Sequence, residues 1–273
     1  MANVKTNLTL IELKRSLIPA KWEDSVRVIG MSEYREAALS LSHSFASDDL
    51  SQYLLNADDM SNLSAEEKWR LHVDIMTYMV AAHCLNGVVT TIGPDYEGVA
   101  LWMPPGKNVD DWWTVLRSGM WRLYYQLSPE GKKRYYEEML PLLHQTKTEV
   151  LGEGDDNAWY LVYLGTKPNA RGRGYARKLL ENMLERADAE KRQVYLESSS
   201  LANNAYYKKF GFEVKRDIYL ERGHIPVRLS IMVREPQAVR KVAYSSPAVT
   251  AAGSVKLQVG GNLKKAQQMA NGL

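Results

Sequence analysis

Arg171-Gly172-Arg173-Gly174-Tyr175-Ala176 is the stretch of this chain best suited to hold an anion. Gly172 and Gly174 have no side chain to keep a ligand from the backbone. After them Leu179, Leu180, Met183, Leu184 and Ala187 recur at helical spacing, so the turn opens a helix. A helix start leaves N–H groups unpaired and carries partial positive charge. Such a site suits a pyrophosphate, and Arg171 and Arg173 add charge around it. A glycine-punctuated loop before an ordinary surface helix fits the same residues. Two other phosphate motifs do not. A dinucleotide fingerprint would need glycine or alanine where Arg177 stands, and a P-loop would need serine or threonine where Asn108 follows Gly106-Lys107.

The elements flanking this turn must position it. Trp159 to Leu164 is short and aromatic-rich, as a buried strand should be, and Pro168 and Asn169 stop it. Beyond the helix, Val194 to Glu197 reads as a second strand, followed by SSSLANNAYYKKFGF. Strand, anion-cradling turn, helix and strand in that order form a nucleotide-binding arrangement.

Within it, Arg171-x-x-Gly174-x-Ala176 resembles the acetyl-CoA signature of the GNAT N-acetyltransferase superfamily. Asn203, followed by Tyr207-Lys208-Lys209-Phe210-Gly211-Phe212, is similar to that family's second signature, an Asn and then Tyr-x-x-x-Gly-Phe. Leu196-Glu197-Ser198, Ala100-Leu101-Trp102 with Pro104-Pro105, and Met232-x-Arg234 bring the resemblance closest to the puromycin N-acetyltransferase-like branch. It extends over roughly residues 25–234 and is motif-grade over 159–212.

The resemblance implies an α/β (α+β) fold with a mixed, mostly antiparallel sheet, splayed between the cofactor strand and the next, and helices on both faces. It implies acetyl-CoA as co-substrate, no metal, and direct attack by the acceptor in a ternary complex. Leu164, Gly165 and Thr166 would present backbone groups to the pantetheine arm. Arg171, Gly172, Arg173, Gly174, Tyr175 and Ala176 would hold the pyrophosphate, and Asn203 would bond the cofactor arm. Tyr207 would be the general acid that protonates the leaving thiolate; the spacing to Gly211-Phe212 selects it over Tyr206, and a core tyrosine is its other role. Glu197 is the first candidate for the general base, with Glu97 and His144 as alternatives. The chemistry needs such groups, because an alkylamine of pKa about 10 must lose a proton before it attacks.

Composition sets the frame. The chain has 273 residues, enough to bury a full core without staples. A formal net charge of +3 is too small to argue for nucleic acid. The single cysteine, Cys84, sits in an apolar helical stretch; it reads as core and fits a reducing compartment. No apolar run approaches the length needed to span a bilayer, and the N-terminus lacks a continuous apolar segment. The expectation is a cytoplasmic monomer or homodimer whose partners are acetyl-CoA and a small-molecule amine, with no nucleic acid and no membrane.

Residues 1–24 read as a lead-in, 25–235 as one acetyltransferase domain, and 236–273, rich in Ala, Gly, Ser and Gln, as a mobile or loosely docked tail. Val26 to Ile29 reads as a first strand, and Ser32 to Phe45 as a helix that Asp48 to Leu55 extends or follows as a separate turn. Ser64 and Glu67 form a capping box for a helix ending at Asn86-Gly87. His72 and His83 on that helix read as structural. Val88 to Ile92 and Val99 to Met103 form a hairpin, and Glu213 to Leu220 and Val227 to Val233 a closing strand pair. Between strands 3 and 4 lies the most individual part of the chain, a helical insertion over 107–153. Trp113, Leu116, Met120, Leu123 and Leu127 suggest its first helix, and Ser128-Pro129-Glu130 starts its second. The aromatic residues left over either pack on the sheet or wall an acceptor pocket. A protein acetyltransferase, or a CoA-binding module without catalysis, are the competing functions.

Overall fold

The computed structural model describes residues 17–238, so the expectation for the tail beyond 238 lies outside the described residues, as does the lead-in before 17. Seven strands form one sheet in the order β1-β2-β3-β4-β5-β7-β6. They are β1 (Arg27–Ile29), β2 (Val88–Ile92), β3 (Gly98–Met103), β4 (Trp159–Thr166), β5 (Val194–Ser198), β6 (Glu213–Leu220) and β7 (Val227–Arg234). Every neighbouring pair is antiparallel except β4 and β5. The fold is the expected mixed, mostly antiparallel α/β architecture.

The helices pack on both faces. On one, α8 (Tyr175–Ala189) buries Leu179, Leu180 and Met183 against Trp159, Leu161 and Leu196. On the other, α1 (Tyr34–Ser44) and α3 (Ala65–Asn86) bury Leu41, Met76 and Val80 against Val89, Val99 and Leu101. The capping box of α3 is complete: Ser64 Oγ accepts from the Glu67 N–H at 3.2 Å, and the Glu67 carboxylate accepts from the Ser64 N–H at 2.8 Å. Asp49–Leu55 is a separate short helix, α2, because Asp48 caps it by accepting from the N–H groups of Leu50 and Ser51.

Two irregularities shape the middle of the sheet. Leu101 pairs with Tyr163 and Trp102 with Leu161, so Val162 is an extra residue in β4, a β-bulge. The bulge resets the alternation of side chains. Trp159, Leu161 and Leu164 face α8, whereas Tyr160 and Tyr163 both face α1 and the insertion. The second irregularity is that β4 and β5 pair only from Trp159↔Val194 to Leu161↔Leu196. Beyond that register they part, and the β5-facing edge of β4 from Val162 to Thr166 has no strand partner.

The insertion differs from two continuous helices. Its first part breaks at Gly119, whose φ of +89° places it in the left-handed region and ends α4 (Trp112–Ser118). Trp113 and Leu116 are therefore exposed, while Met120, Leu123 and Leu127 reach the core. A short α5 (Leu123–Gln126) leads to α6 (Pro129–Lys132), which Ser128 caps and Pro129 starts. The chain then runs through a π-helical segment, Lys133–Met139, into α7 (Leu140–Leu151).

Gly165 is dictated by packing. A Cβ there would lie 2.8 Å from Ser44 Cβ and 2.9 Å from Leu41 Cδ2, so α1 rests on the bare β4 backbone. Gly165→Ala is expected to destabilise the protein by about 1–3 kcal/mol, with Tm falling by roughly 2–4 °C for each kcal/mol. Thermal denaturation checks this, and an unchanged Tm would show that α1 can move aside at no cost.

Candidate active site

The parted strands and the α8 turn lie in succession along the chain. Gly172 and Gly174 take φ values of +83° and +79°, and a Cβ on either would meet no atom within 4 Å. These glycines serve the turn's left-handed backbone and leave it bare to solvent. No acidic residue stands in the first turn of α8. The exposed N–H groups of this turn thus form an open, positively biased cradle suited to a pyrophosphate. Arg171 donates to the Ser44 carbonyl at 3.4 Å, and Arg173 lies 3.8 Å from Glu23. Tyr175 is buried and donates its hydroxyl proton to Glu23 at 2.9 Å, so only its backbone is free to meet a ligand.

Upstream, Leu164, Gly165 and Thr166 pair with Ala100, Val99 and Gly98 on one edge only. Their other edge borders the gap left by β5 and has no strand partner. The open glycine turn and this free strand edge together fit acetyl-CoA, which supplies an activated acetyl thioester when bound. Among the described residues, no group of His, Cys, Asp and Glu side chains is placed to hold a metal ion.

Glu197 stands on β5 just past the last β4 pairing, on the face opposite α8. It lines a cavity of about 240 Å³ with Tyr160, Val162 and Tyr163 of β4 and Asp48 and Ser199 beside them. Leu54, Ile75, Met79, Tyr135, Met139 and Leu143, drawn from α2, α3 and the insertion, supply apolar wall. Ser199 donates to Asp48 at 2.7 Å, tying the loop after β5 to the start of α2 in the cavity wall. Burial raises the Glu197 carboxyl to about 7, against the hydroxyls of Tyr160 and Tyr195, which favour the carboxylate, and a weaker contribution from Lys147. Lys147 also lines the cavity, and its ammonium is held in an ion pair with Asp155.

The other base candidates separate. Glu97 does not line this cavity; its carboxylate accepts from the Asp95 N–H at 2.8 Å and closes the β2–β3 turn. His144 lines the rim, largely exposed, 3.4 Å from Asp110. His72 and His83 are buried and bonded to the carbonyls of Ser42 and Met79, at 3.0 and 2.8 Å. Burial pushes the Cys84 thiol up to about 11, away from nucleophilic use.

Tyr207 belongs to α9 (Leu201–Lys208) and packs on the α8 side of the sheet, its ring 5.7 Å from that of Phe212. Burial holds its hydroxyl well above the ordinary tyrosine range, so it keeps its proton at neutral pH. The neighbouring Tyr206 is turned towards α8, where Glu181 and Arg177 act on it. Asn203 is exposed at the start of α9, whereas Asn204 is buried and donates to Ser230 at 2.8 Å. Sequence reasoning missed Tyr160, Tyr163, Ser199, Asp48 and Lys147 as neighbours of Glu197. The Tyr195-x-Glu197 spacing, which puts both side chains on one face of a strand, is a signal that could have found this polar face.

Known proteins resemble this chain in sequence and fold. Residues 145–214 match the family model described as an acetyltransferase (GNAT) domain. The chain is 42% identical over 214 residues to the uncharacterized N-acetyltransferase C550.08 of Schizosaccharomyces pombe, covering 78% of this chain and 84% of that one. Arylalkylamine N-acetyltransferase 2 of Aedes aegypti superposes with a TM-score of 0.50 at 16% identity, over 78% of this chain and 99% of that one. A mosquito arylalkylamine N-acetyltransferase like 5b does so at 0.50 and 15%, over 77% and 99%. Those two share the fold. With its open glycine cradle, its parted β4 and β5 and its relative in fission yeast, this chain belongs to the GNAT acetyltransferase family and is an acetyl-CoA-dependent N-acetyltransferase.

Proposed function

We propose that the chain acetylates a primary amine of a small molecule held in the cavity beside Glu197, by direct attack in a ternary complex. The observation that carries this reading is the position of Glu197, where β4 and β5 part and on the wall of a cavity closed over by the insertion. A cavity of that size admits a compact, mainly apolar acceptor, whereas a peptide would need an open groove. The motifs shared with the puromycin N-acetyltransferase-like branch point the same way.

Each residue then has one task. Apolar wall excludes water from the amine, so its neutral form is favoured. The Glu197 carboxylate takes a proton from the amine nitrogen, directly or through one water. Backbone N–H groups on the free edge of β4 favour the oxygen that gains charge. The Tyr207 hydroxyl, protonated at neutral pH, gives its proton to the departing sulfur. Asn203 and the backbone of Arg171 to Ala176 orient the donor.

The base must be ionised to act, so activity is lost as pH falls through the Glu197 pKa. We expect kcat/KM to rise with pH through an acid limb near 7. In Glu197→Gln that limb should vanish and the rate drop by about 10²–10⁴-fold. An acid limb that persists unchanged in the variant would assign the base to another group.

Tyr207→Phe is expected to lower kcat by about 10²-fold or more with little change in acetyl-CoA affinity. Thiol release against a panel of amines, with donor binding measured by calorimetry, checks this. Equal loss of binding and turnover would make Tyr207 a packing residue.

A further inference from the structure

The acceptor cavity has an outer annex. A shallow groove of about 430 Å³ lies between the end of α3, the loop after β3 and the start of α4. Lys107 and Asn108 stand in the walls of both the groove and the inner cavity, so the two adjoin through these residues. The inner part is mainly apolar and carries the Glu197, Asp48 and Asp110 carboxylates against the Lys147 ammonium. The outer part is polar and carries Lys107, Arg117 and the exposed indole of Trp113.

Neither cation of the outer groove is held in an ion pair among the described residues. The Arg117 side chain makes no ion pair or hydrogen bond among the described residues. Asp111, the acid in this groove, is occupied. Its carboxylate caps α4 by accepting from the Thr114 N–H at 3.0 Å and also accepts from Asn86 at 3.4 Å. Thr114 chiefly, and Lys107 more weakly, hold the Asp111 carboxyl below its ordinary value. The nearby Asp110 is 3.4 Å from His144. That leaves Lys107 and Arg117 to face the groove beside the Trp113 ring. Guanidinium and ammonium groups flanking an indole suit an anionic group on an apolar or planar stem.

From this polarity we infer that the outer groove is a specificity subsite for an anion, and that the preferred acceptor carries a carboxylate or phosphate at the end remote from its amine. The inference rests on the reading of the inner cavity as the acceptor site. It goes beyond it by making charge at the far end of the molecule, and Arg117 in particular, the discriminating feature.

The test compares ω-amino carboxylates and ω-amino alkyl phosphates of graded length with n-alkylamines of matching length, by thiol release from acetyl-CoA on the full chain. At the best length one anionic series should exceed the plain amine in kcat/KM by about tenfold, chiefly through KM. Arg117→Ala and Lys107→Ala should each bring that ratio towards one, and Arg117→Lys should restore part of it. Whichever series wins separates carboxylate from phosphate. Equal kcat/KM for charged and plain acceptors, or a preference that survives both alanine substitutions, overturns the subsite. If no amine in any series is turned over, the reading of the inner cavity is what has failed, and calorimetry with the amine-free alkyl carboxylates and alkyl phosphates decides the groove alone. Saturable binding lost in Arg117→Ala supports it, and the absence of saturable binding overturns it.

Discussion

Everything in this molecule turns on two parallel strands that pair for three residues and then separate. β4 and β5 hold register from Trp159↔Val194 to Leu161↔Leu196 and no further. A sheet that continued would seal its backbone groups, since strands leave few N–H and C=O groups unpaired. Here the separation coincides with the bulge at Val162, which bends β4 and increases its local twist. On their outer flanks β5 stays paired with β7 to Ser198 and β4 with β3 to Thr166, so each strand is held as the two part. Gly165 then lets α1 lie against the departing backbone. The gap is held open from both sides by ordinary packing.

The insertion gives that gap a wall on one side. Without α6, the π-helical segment and α7, the tyrosine face of β4 and β5 would be open to water. With them, Tyr135, Met139 and Leu143 close over it, and Glu197 loses enough solvent for its carboxyl to rise towards neutrality. The same helices limit the shift, because α7 brings Lys147, anchored by Asp155, to the cavity wall. Burial and compensation thus come from one element, and the wider π-helical turn at Lys133–Met139 fits a segment that serves a site rather than only a core.

Much of this was legible in the residues. The glycine turn, the amphipathic stripe of α8, the capping box at Ser64 and the order of strands follow from local rules that the fold obeys. What was not legible involved contacts distant in sequence or a break in period. Alternation through Trp159-Tyr160-Leu161-Val162-Tyr163 places Tyr163 with Trp159, and a single inserted residue moves it to the opposite face beside Tyr160. The stripe from Trp113 to Leu127 reads as one helix because each apolar residue falls at helical spacing. Gly119 breaks it with a left-handed φ, exposing the first half and burying the second. Asp48 caps α2 with one carboxylate oxygen, and its second oxygen accepts from Ser199 far along the chain. No local pattern carries that contact.

The separation also explains why acid and base candidates should lie on opposite faces of the sheet. Glu197 shares its face with Tyr160, Tyr195 and the insertion, whereas Tyr207 packs with Phe212 on the side of α8. An intact sheet would keep these two side chains apart, since its backbone lies between them. Where β4 leaves β5, one substrate bond can be approached from both faces at once. On the proposed reading, the amine proton then leaves towards the insertion and the sulfur gains its proton from the α8 side. The two groups need different surroundings for this. Glu197 must ionise near neutral pH, and Tyr207 must stay protonated there. Tyr207 meets its requirement unaided, since a phenol is neutral at that pH and burial only raises it further. Glu197 needs burial offset by the hydroxyls of Tyr160 and Tyr195 and the charge of Lys147, because burial alone would keep it protonated and useless as a base. The polar cluster is therefore on the face where it is required, and the aromatic one on the face where it suffices.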